Sequence, residues 1–305
     1  MRYSTIFFGT HEFAATILQA LIDDPKIIVD LVVTQPDKPV GRKQELQKPP
    51  IKILAEKHNL TVIQPESLKN FQTANHIFHI GVTAQYGKII PQSVLDLPKH
   101  GILNVHTSLL PKYRGASPIQ SALINGETET GVTIMKMEAG LDTGPILIQQ
   151  KISIDPDDTY LNLDHKLAPI GAKALLEALP AYIEGTLQPQ AQDETKATHC
   201  KQLSRDDGQI DWQKTTAELY NLYRGLTPWP GIWTTWNEKR LKLLTIRPST
   251  KQIPPGKVMA ENKHLFIGTA DSSIEVLQLQ LEGKSAMDPA TFLSGYQQFS
   301  KLTLK

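Results

Sequence analysis

An apolar run that stops at a glycine and gives way to a helical stripe opens the chain. Ile6-Phe7-Phe8 ends at Gly9, and Phe13, Ile17 and Leu21 then recur at helical spacing. The β-branched stretch Ile27 to Val33 follows, and Gln35-Pro36-Asp37 turns the chain. Ile51 to His58 has a helical pattern. Thr61 to Ile63, Ile77 to Thr83 and Ile102 to Val105 have strand patterns. Alternation of this kind predicts an α/β, Rossmann-like domain, a mostly parallel sheet with helices on both faces. Sheets of that type carry their sites at the carboxyl ends of the strands.

The rest of the chain changes character. Val132 to Met137 and Ile146 to Ile154 are strand-like, joined by Gly140-Leu141-Asp142-Thr143-Gly144-Pro145. Leu163, Leu167, Ile170 and Ala174 form the stripe of a long helix, with Asp157 or Asp158 as its expected cap and Pro169 as a possible kink. Residues 185–205 carry no sustained pattern and read as a linker. A helix is expected near 214–224. Beyond it lie short apolar strands between Pro and Gly: Trp233 to Trp236, Leu241 to Ile246, Leu265 to Ile267 and Ile274 to Leu281. They predict a small β-barrel or sandwich. A length of 305 residues suits about two domains. The expected division is 1–188, a linker at 189–205, and 206–305.

Composition excludes several classes. With 40% apolar and 21% charged residues the chain can bury a core and is not disordered. Cys200 is its single cysteine, so a disulfide scaffold is excluded and a reducing compartment is expected. No apolar run reaches the ~20 residues of a membrane span, and the first segment is too short for a signal peptide. The expectation is a soluble, cytoplasmic monomer that engages no membrane. Net charge is only +1, but it is unevenly spread. Residues 38–52 set Lys38, Arg42, Lys43, Lys48 and Lys52 against Glu45. Residues 238–263 hold seven Lys and Arg against Glu238 and Glu261. Either run could meet a polyanion, because potential is local, or simply be a solvated face.

The densest polar cluster spans 104–144. Asn104 and His106 flank Val105 on a strand, so they point to one face. An amide and an imidazole side by side can hydrogen-bond one substrate oxygen and stabilise an oxyanion. Asp142, in a glycine-flanked loop after another strand, could reach the imidazole and fix its tautomer. The plainer alternative is that both side chains satisfy backbone groups. Other chemistries lack their motifs. There is no GxSxG, no GxxxxGK[ST] and no GxGxxG. The histidines His76, His79, His100 and His106 come without HExxH or paired CxxC, so no metal is expected.

Several segments together carry a resemblance. They are FFGTHEFAATILQAL at 7–21, TQPDKPVGR at 34–42, AQYGKIIP at 84–91, NVHTSLLPKYRGASPIQSALINGETETGVTIM at 104–135 and GLDTG at 140–144. Ile210-Asp211-Trp212, Arg224-Gly225 and Pro228-Trp229-Pro230-Gly231 add to them. Over essentially the whole chain the sequence resembles the methionyl-tRNA formyltransferase family. The NxH…SLLPxYRG…LDTG pattern alone marks the wider group that uses 10-formyltetrahydrofolate. The RGASPIQ continuation, the basic loop and the C-terminal segment narrow it. His11 stands where the family usually has proline, and His79 where it usually has an acidic residue.

The resemblance implies an N-terminal formyltransferase domain and a C-terminal, OB-like barrel. It implies 10-formyltetrahydrofolate as donor and the α-amino group of methionyl initiator tRNA as acceptor, with no metal. Asn104 and His106 would stabilise the tetrahedral intermediate, and Asp142 would orient His106 and help move the proton. Ser108, Leu109, Leu110 and Pro111 would lie beside the folate. Lys38, Arg42 and Lys43 would meet the tRNA, Arg42 most closely. Three other readings stand beside it: an amino-sugar N-formyltransferase, which would share Asn104, His106 and Asp142 but needs no basic segments, a 10-formyltetrahydrofolate hydrolase, for which no separate folate-sensing module is evident, and a non-catalytic RNA-binding relative, which needs no Asp142.

Overall fold

The computed structural model describes residues 2–40, 44–73 and 76–304. Its elements begin with β1 (Tyr3–Gly9), α1 (Glu12–Asp23), β2 (Ile27–Val33), β3 (Lys38–Val40), β4 (Glu45–Gln47), α2 (Pro50–Lys57), β5 (Val62–Ile63) and β6 (Ile80–Ala84). There follow α3 (Gln92–Leu95), β7 (Ile102–His106), β8 (Arg114–Gly115), α4 (Pro118–Ile124), β9 (Glu129–Lys136), β10 (Ile146–Ser153), α5 (Tyr160–Ile183) and β11 (His199–Cys200). The chain ends through α6 (Thr216–Leu226), β12 (Ile232–Trp236), β13 (Lys239–Ser249), β14 (Val258–Glu261), β15 (His264–Gly268), β16 (Ser273–Leu281) and α7 (Pro289–Gly295).

The expected alternation builds a seven-stranded sheet in the order β10-β9-β7-β6-β1-β2-β5. Strands β5, β2, β1, β6 and β7 run parallel, and β9 and β10 extend one edge antiparallel. Ile6, Phe8, Val33, Phe78 and Ile102 join one buried cluster. Gly171 lets α5 come close to the sheet: a Cβ there would stand 2.9 Å from Val105 and 3.3 Å from Phe13. The chain leaves β1 outward through β2 and β5, then returns to pair β6 on the other side of β1. Sheets of this kind open a crevice where the order reverses. Here the strand ends are cross-tied, for Thr10 Oγ1 and Gln35 Nε2 donate to the Tyr86 carbonyl at 2.9 and 2.7 Å.

The chain divides into two compact units. One comprises Met1–Pro118, Glu129–Ser153 and Asp164–Cys200, the other Ile119–Thr128, Ile154–Leu163 and Lys201–Lys305. The second contains a five-stranded antiparallel sheet, β12-β13-β16-β15-β14. Leu241, Ile267 and Ile274 are buried with Trp236, whose ring meets Phe292 and Phe299 edge-on. A capping box of Thr215 and Glu218 starts α6. Near its end, buried Arg224 donates to the carbonyls of Asp155 and Asp158 at 3.3 and 3.2 Å. Those bonds bind the stretch 154–163 into the second unit.

Three stretches show detail beyond the expected pattern. Within the polar, basic segment that leads to Pro49-Pro50, β3 pairs antiparallel with β4, and α2 opens at Pro50, a favourable first-turn position for proline. Pro169 lies within α5, as expected of a residue that could kink it, and so does Pro180. Between 189 and 205, hydrogen bonds fix the first part of the segment. β11 pairs parallel with β8, and Arg114 N–H donates to Thr198 O at 2.9 Å. No apolar period announced this, because polar bonds rather than burial hold that stretch.

Candidate active site

Asn104 and His106 stand at the carboxyl end of β7. Register sets them opposite Met135 and Thr133 of β9. Both side chains converge on Asp142, as period-two alternation requires. Asn104 Nδ2 donates to Asp142 Oδ1 at 3.3 Å, and the Gly115 N–H donates to Oδ2 at 2.8 Å. His106 Nδ1 is 3.8 Å from Oδ2, close enough for an ion pair but too long for a hydrogen bond. His106 is 6% exposed. Its Nε2 lies 3.0 Å from the Tyr113 carbonyl. A carbonyl only accepts, so Nε2 carries a hydrogen and Nδ1 is the nitrogen turned toward the carboxylate.

Backbone strain gathers at this site. Asp142 has φ 51° and Tyr113 φ 60°, both in the left-handed region that costs a non-glycine residue about 1–3 kcal/mol. The Asp142 loop closes because residue 144 is glycine, since a Cβ there would sit 1.8 Å from the Lys136 carbonyl. Gly115 has φ 121°, and a Cβ there would strike the Cys200 carbonyl at 2.2 Å.

A clamp centred on buried Arg114 holds this geometry. Gln192 Nε2 donates to the carbonyls of Asp142 and Gly144 at 2.8 and 2.7 Å. Gln192 Oε1 accepts from Arg114 Nε and Nη2 at 3.1 and 2.9 Å. The Arg114 guanidinium, 2% exposed, also forks onto Glu194 at 2.8 and 2.7 Å. The fork raises the pKa of Arg114 and lowers that of Glu194. One short strand therefore holds Asp142 twice: the Gly115 N–H on the carboxylate, and Arg114 through Gln192 on the backbone. Sequence reading missed Gln192 and Glu194, which stand in a patternless stretch. Arg114 stands in the polar cluster that the sequence singled out, and an arginine buried there needs an acidic partner.

Ser108, Leu109, Leu110 and Pro111 form the turn after β7. Ser108 and Leu110 are buried, and Leu109 and Pro111 are partly exposed. Thr133 Oγ1 donates to Ser108 O at 2.6 Å and accepts from Leu110 N–H at 3.1 Å. Gln149 Nε2 donates to Leu110 O at 2.8 Å. These backbone groups are engaged inside the protein, which leaves Leu109, Pro111 and 63%-exposed Leu141 as apolar surface at this end of the sheet.

Of the basic residues, Lys38 is exposed and donates to Gln35 Oε1 at 2.6 Å. Arg42 and Lys43 lie outside the described residues. Lys48 and Lys52 form ion pairs with Glu56 and Asp37 at 2.7 and 2.8 Å, so the run is less positive than a count over 38–52 suggests.

The family described as Formyl transferase matches residues 1–179, and Formyl transferase, C-terminal domain, matches 202–297. A methionyl-tRNA formyltransferase of Geobacter metallireducens is 42% identical over 297 residues, covering 96% of this chain and 95% of the relative. One of Caldicellulosiruptor saccharolyticus is 43% identical over 302 residues, covering 96% of each. The crystal structure of WlaRD, a sugar 3N-formyl transferase in the presence of dTDP and 5-N-formyl-THF, superposes with a TM-score of 0.68. It shares 20% identity and covers 93% of this chain and 99% of its own, a likeness of fold. Gln192 and Glu194 fall between the two matched segments.

Proposed function

The chain belongs to the methionyl-tRNA formyltransferase family, and from that premise we propose that it formylates the α-amino group of methionyl initiator tRNA with 10-formyltetrahydrofolate. The single observation that carries the chemistry is the convergence of Asn104 and His106 on Asp142 at the end of β7. The acceptor amine must be neutral to attack, and α-amino groups titrate near pH ~8, so a useful fraction is neutral at pH 7. Its nitrogen attacks the formyl carbon and a C–N bond forms. Asn104 has two N–H groups and spends one on Asp142, so the second can meet the developing oxyanion. The same oxyanion competes with the Tyr113 carbonyl for the His106 Nε2 hydrogen. The bond from the formyl carbon to the folate N10 then breaks. Asp142 takes the proton from the amine and delivers it to N10, which balances the step. A protonated His106 would direct Nδ1–H at Asp142 and steady the carboxylate between transfers.

Leu109, Pro111 and Leu141 offer apolar surface for the donor's ring. Lys38, with Arg42 and Lys43, would meet the tRNA near its aminoacyl end. We read residues 1–188 as the donor and chemistry domain, and 206–305 as an OB-like barrel whose basic face follows RNA backbone. Among the described residues no helix is long and apolar enough to cross a membrane. We place the enzyme in the cytoplasm as a monomer that needs no metal.

The test is incubation of the purified protein with 10-formyltetrahydrofolate and either methionyl-tRNA or an amino-sugar nucleotide. Formylation of the aminoacyl-tRNA, with the sugar untouched, is the expected result. The reverse outcome replaces this reading with that of a sugar N-formyltransferase.

A further inference from the structure

In the second unit, alternation along β12 and β13 sorts side chains by face. Ile232, Thr234, Trp236, Leu241 and Leu243 are buried. Trp233, Arg240 and Lys242 lie on the opposite face, where Trp233 is itself covered and only 8% exposed. Trp233 is directly across from Lys242, and Arg240 is its diagonal neighbour. The Arg240 guanidinium lies 4.1 Å from the centre of the Trp233 ring, a cation–π contact. Trp233 Nε1 donates to the Arg205 carbonyl at 2.9 Å, which draws residue 205 to the same place. Trp229 completes the wall with 54% of its surface exposed. Together these residues line a cleft of about 340 Å³, with Glu282 as its acidic member against Arg205, Arg240 and Lys242.

An exposed indole beside three cations is poor surface for a protein that needs only solubility. It is apt surface for one class of ligand. A nucleobase stacks on an indole or on a guanidinium plane, and its phosphate meets Lys and Arg. Bases inside a duplex are stacked on one another and cannot do this, so the ligand must be unpaired. We propose that this cleft holds an unpaired nucleotide of the tRNA, its base on Trp229 and its phosphate within the field of Arg205, Arg240 and Lys242. The proposal rests on the reading of the chain as a tRNA-modifying enzyme, and adds a stacking site to what was expected to be backbone contact alone. A protein ligand fits less well, because three cations crowd the lining of the cleft.

The experiment measures the equilibrium binding of methionyl-tRNA to the full-length protein and to three variants, at two salt concentrations. Trp229→Ala should weaken binding about 5- to 100-fold, the range for loss of one base–aromatic stack. Trp229→Phe should recover most of that loss, because a smaller ring still stacks. Lys242→Ala should weaken binding less and flatten the salt dependence by about one unit of slope. Ultraviolet cross-linking of the wild-type complex should map RNA to the peptide containing Trp229. Wild-type binding with Trp229→Ala unchanged within twofold, or a cross-link map that omits residues 228–242, would overturn the cleft alone. A wild-type protein that binds no tRNA would overturn the underlying reading with it.

Discussion

The strand-end site and the Trp229 cleft are built on opposite terms. Around Asp142 directed polar contacts converge: a carboxylate held by Asn104 and Gly115, a backbone held by Gln192, and a guanidinium forked on Glu194. The cleft is an open surface on a hairpin, with a half-exposed indole and cations on long stems. The first arrangement fixes atoms to within the tolerance that bond-making demands. The second supplies field and flat area, which tolerate movement in a large, flexible ligand. Chemistry should therefore fail sharply when the first is altered, and affinity should fail by degrees when the second is.

The largest expected effect is that of His106→Ala. Formyl transfer should fall about 10²- to 10⁴-fold in kcat with tRNA affinity unchanged. Quenched-flow turnover beside a binding titration checks this, and more than half of wild-type turnover would remove His106 from the mechanism.

Gln192→Ala comes next, because it touches no substrate and acts only through Asp142. It leaves the carbonyls of residues 142 and 144 without this donor and Arg114 without this acceptor. A displaced carboxylate should reduce kcat by up to about 10²-fold. KM for tRNA should hold. A loss of kcat that tracks a loss of melting temperature across clamp variants would instead mark the clamp as purely structural.

Arg42→Ala should act on tRNA use alone, raising KM and flattening the salt dependence of binding by about one unit of slope. Folate binding should not change. If folate binding falls while tRNA handling is normal, the basic segment belongs to the donor site.

The smallest effect sharpens the comparison through pH. The Arg114 fork lowers the pKa of Glu194, so the folded state favours the ionised form. Its contribution is present above the ordinary glutamate value of 4.5 and is lost as pH falls through the lowered value. Wild-type protein should melt slightly above Glu194→Gln at neutral pH, and the gap should close in acid. The Glu194 side chain is 68% exposed, so solvent screens the pair and the gap is small. A gap that widens in acid contradicts the assignment.

Much of this was legible in the sequence, for physical reasons. Period-two alternation put Asn104 and His106 on one face, and glycines at 140 and 144 announced the tight loop that brings in Asp142. The alternating strand and helix patterns gave the seven-stranded sheet. What escaped were features without a period. The β3–β4 hairpin lies in a stretch punctuated by proline and charge, where no apolar face marks a strand. β8 and β11 are two residues long, and their pairing joins segments about eighty residues apart. Gln192 and Glu194 act through directed hydrogen bonds, which leave no pattern in hydrophobicity. The charge count over 38–52 misled because the acids that neutralise Lys48 and Lys52 lie just outside that window.

The claim that Asn104, His106 and Asp142 act as one chemical unit, apart from the surfaces that capture tRNA, is tested most directly by a double-mutant cycle. Single-turnover formyl transfer would be measured for wild type, His106→Ala, Asp142→Asn and the double variant, with the tRNA Kd of each. The prediction is that the double variant is little slower than the worse single variant, because the groups share one transition state, and that all four bind tRNA within about twofold. Rate losses that multiply, or a Kd that weakens in step with the rate, would contradict it.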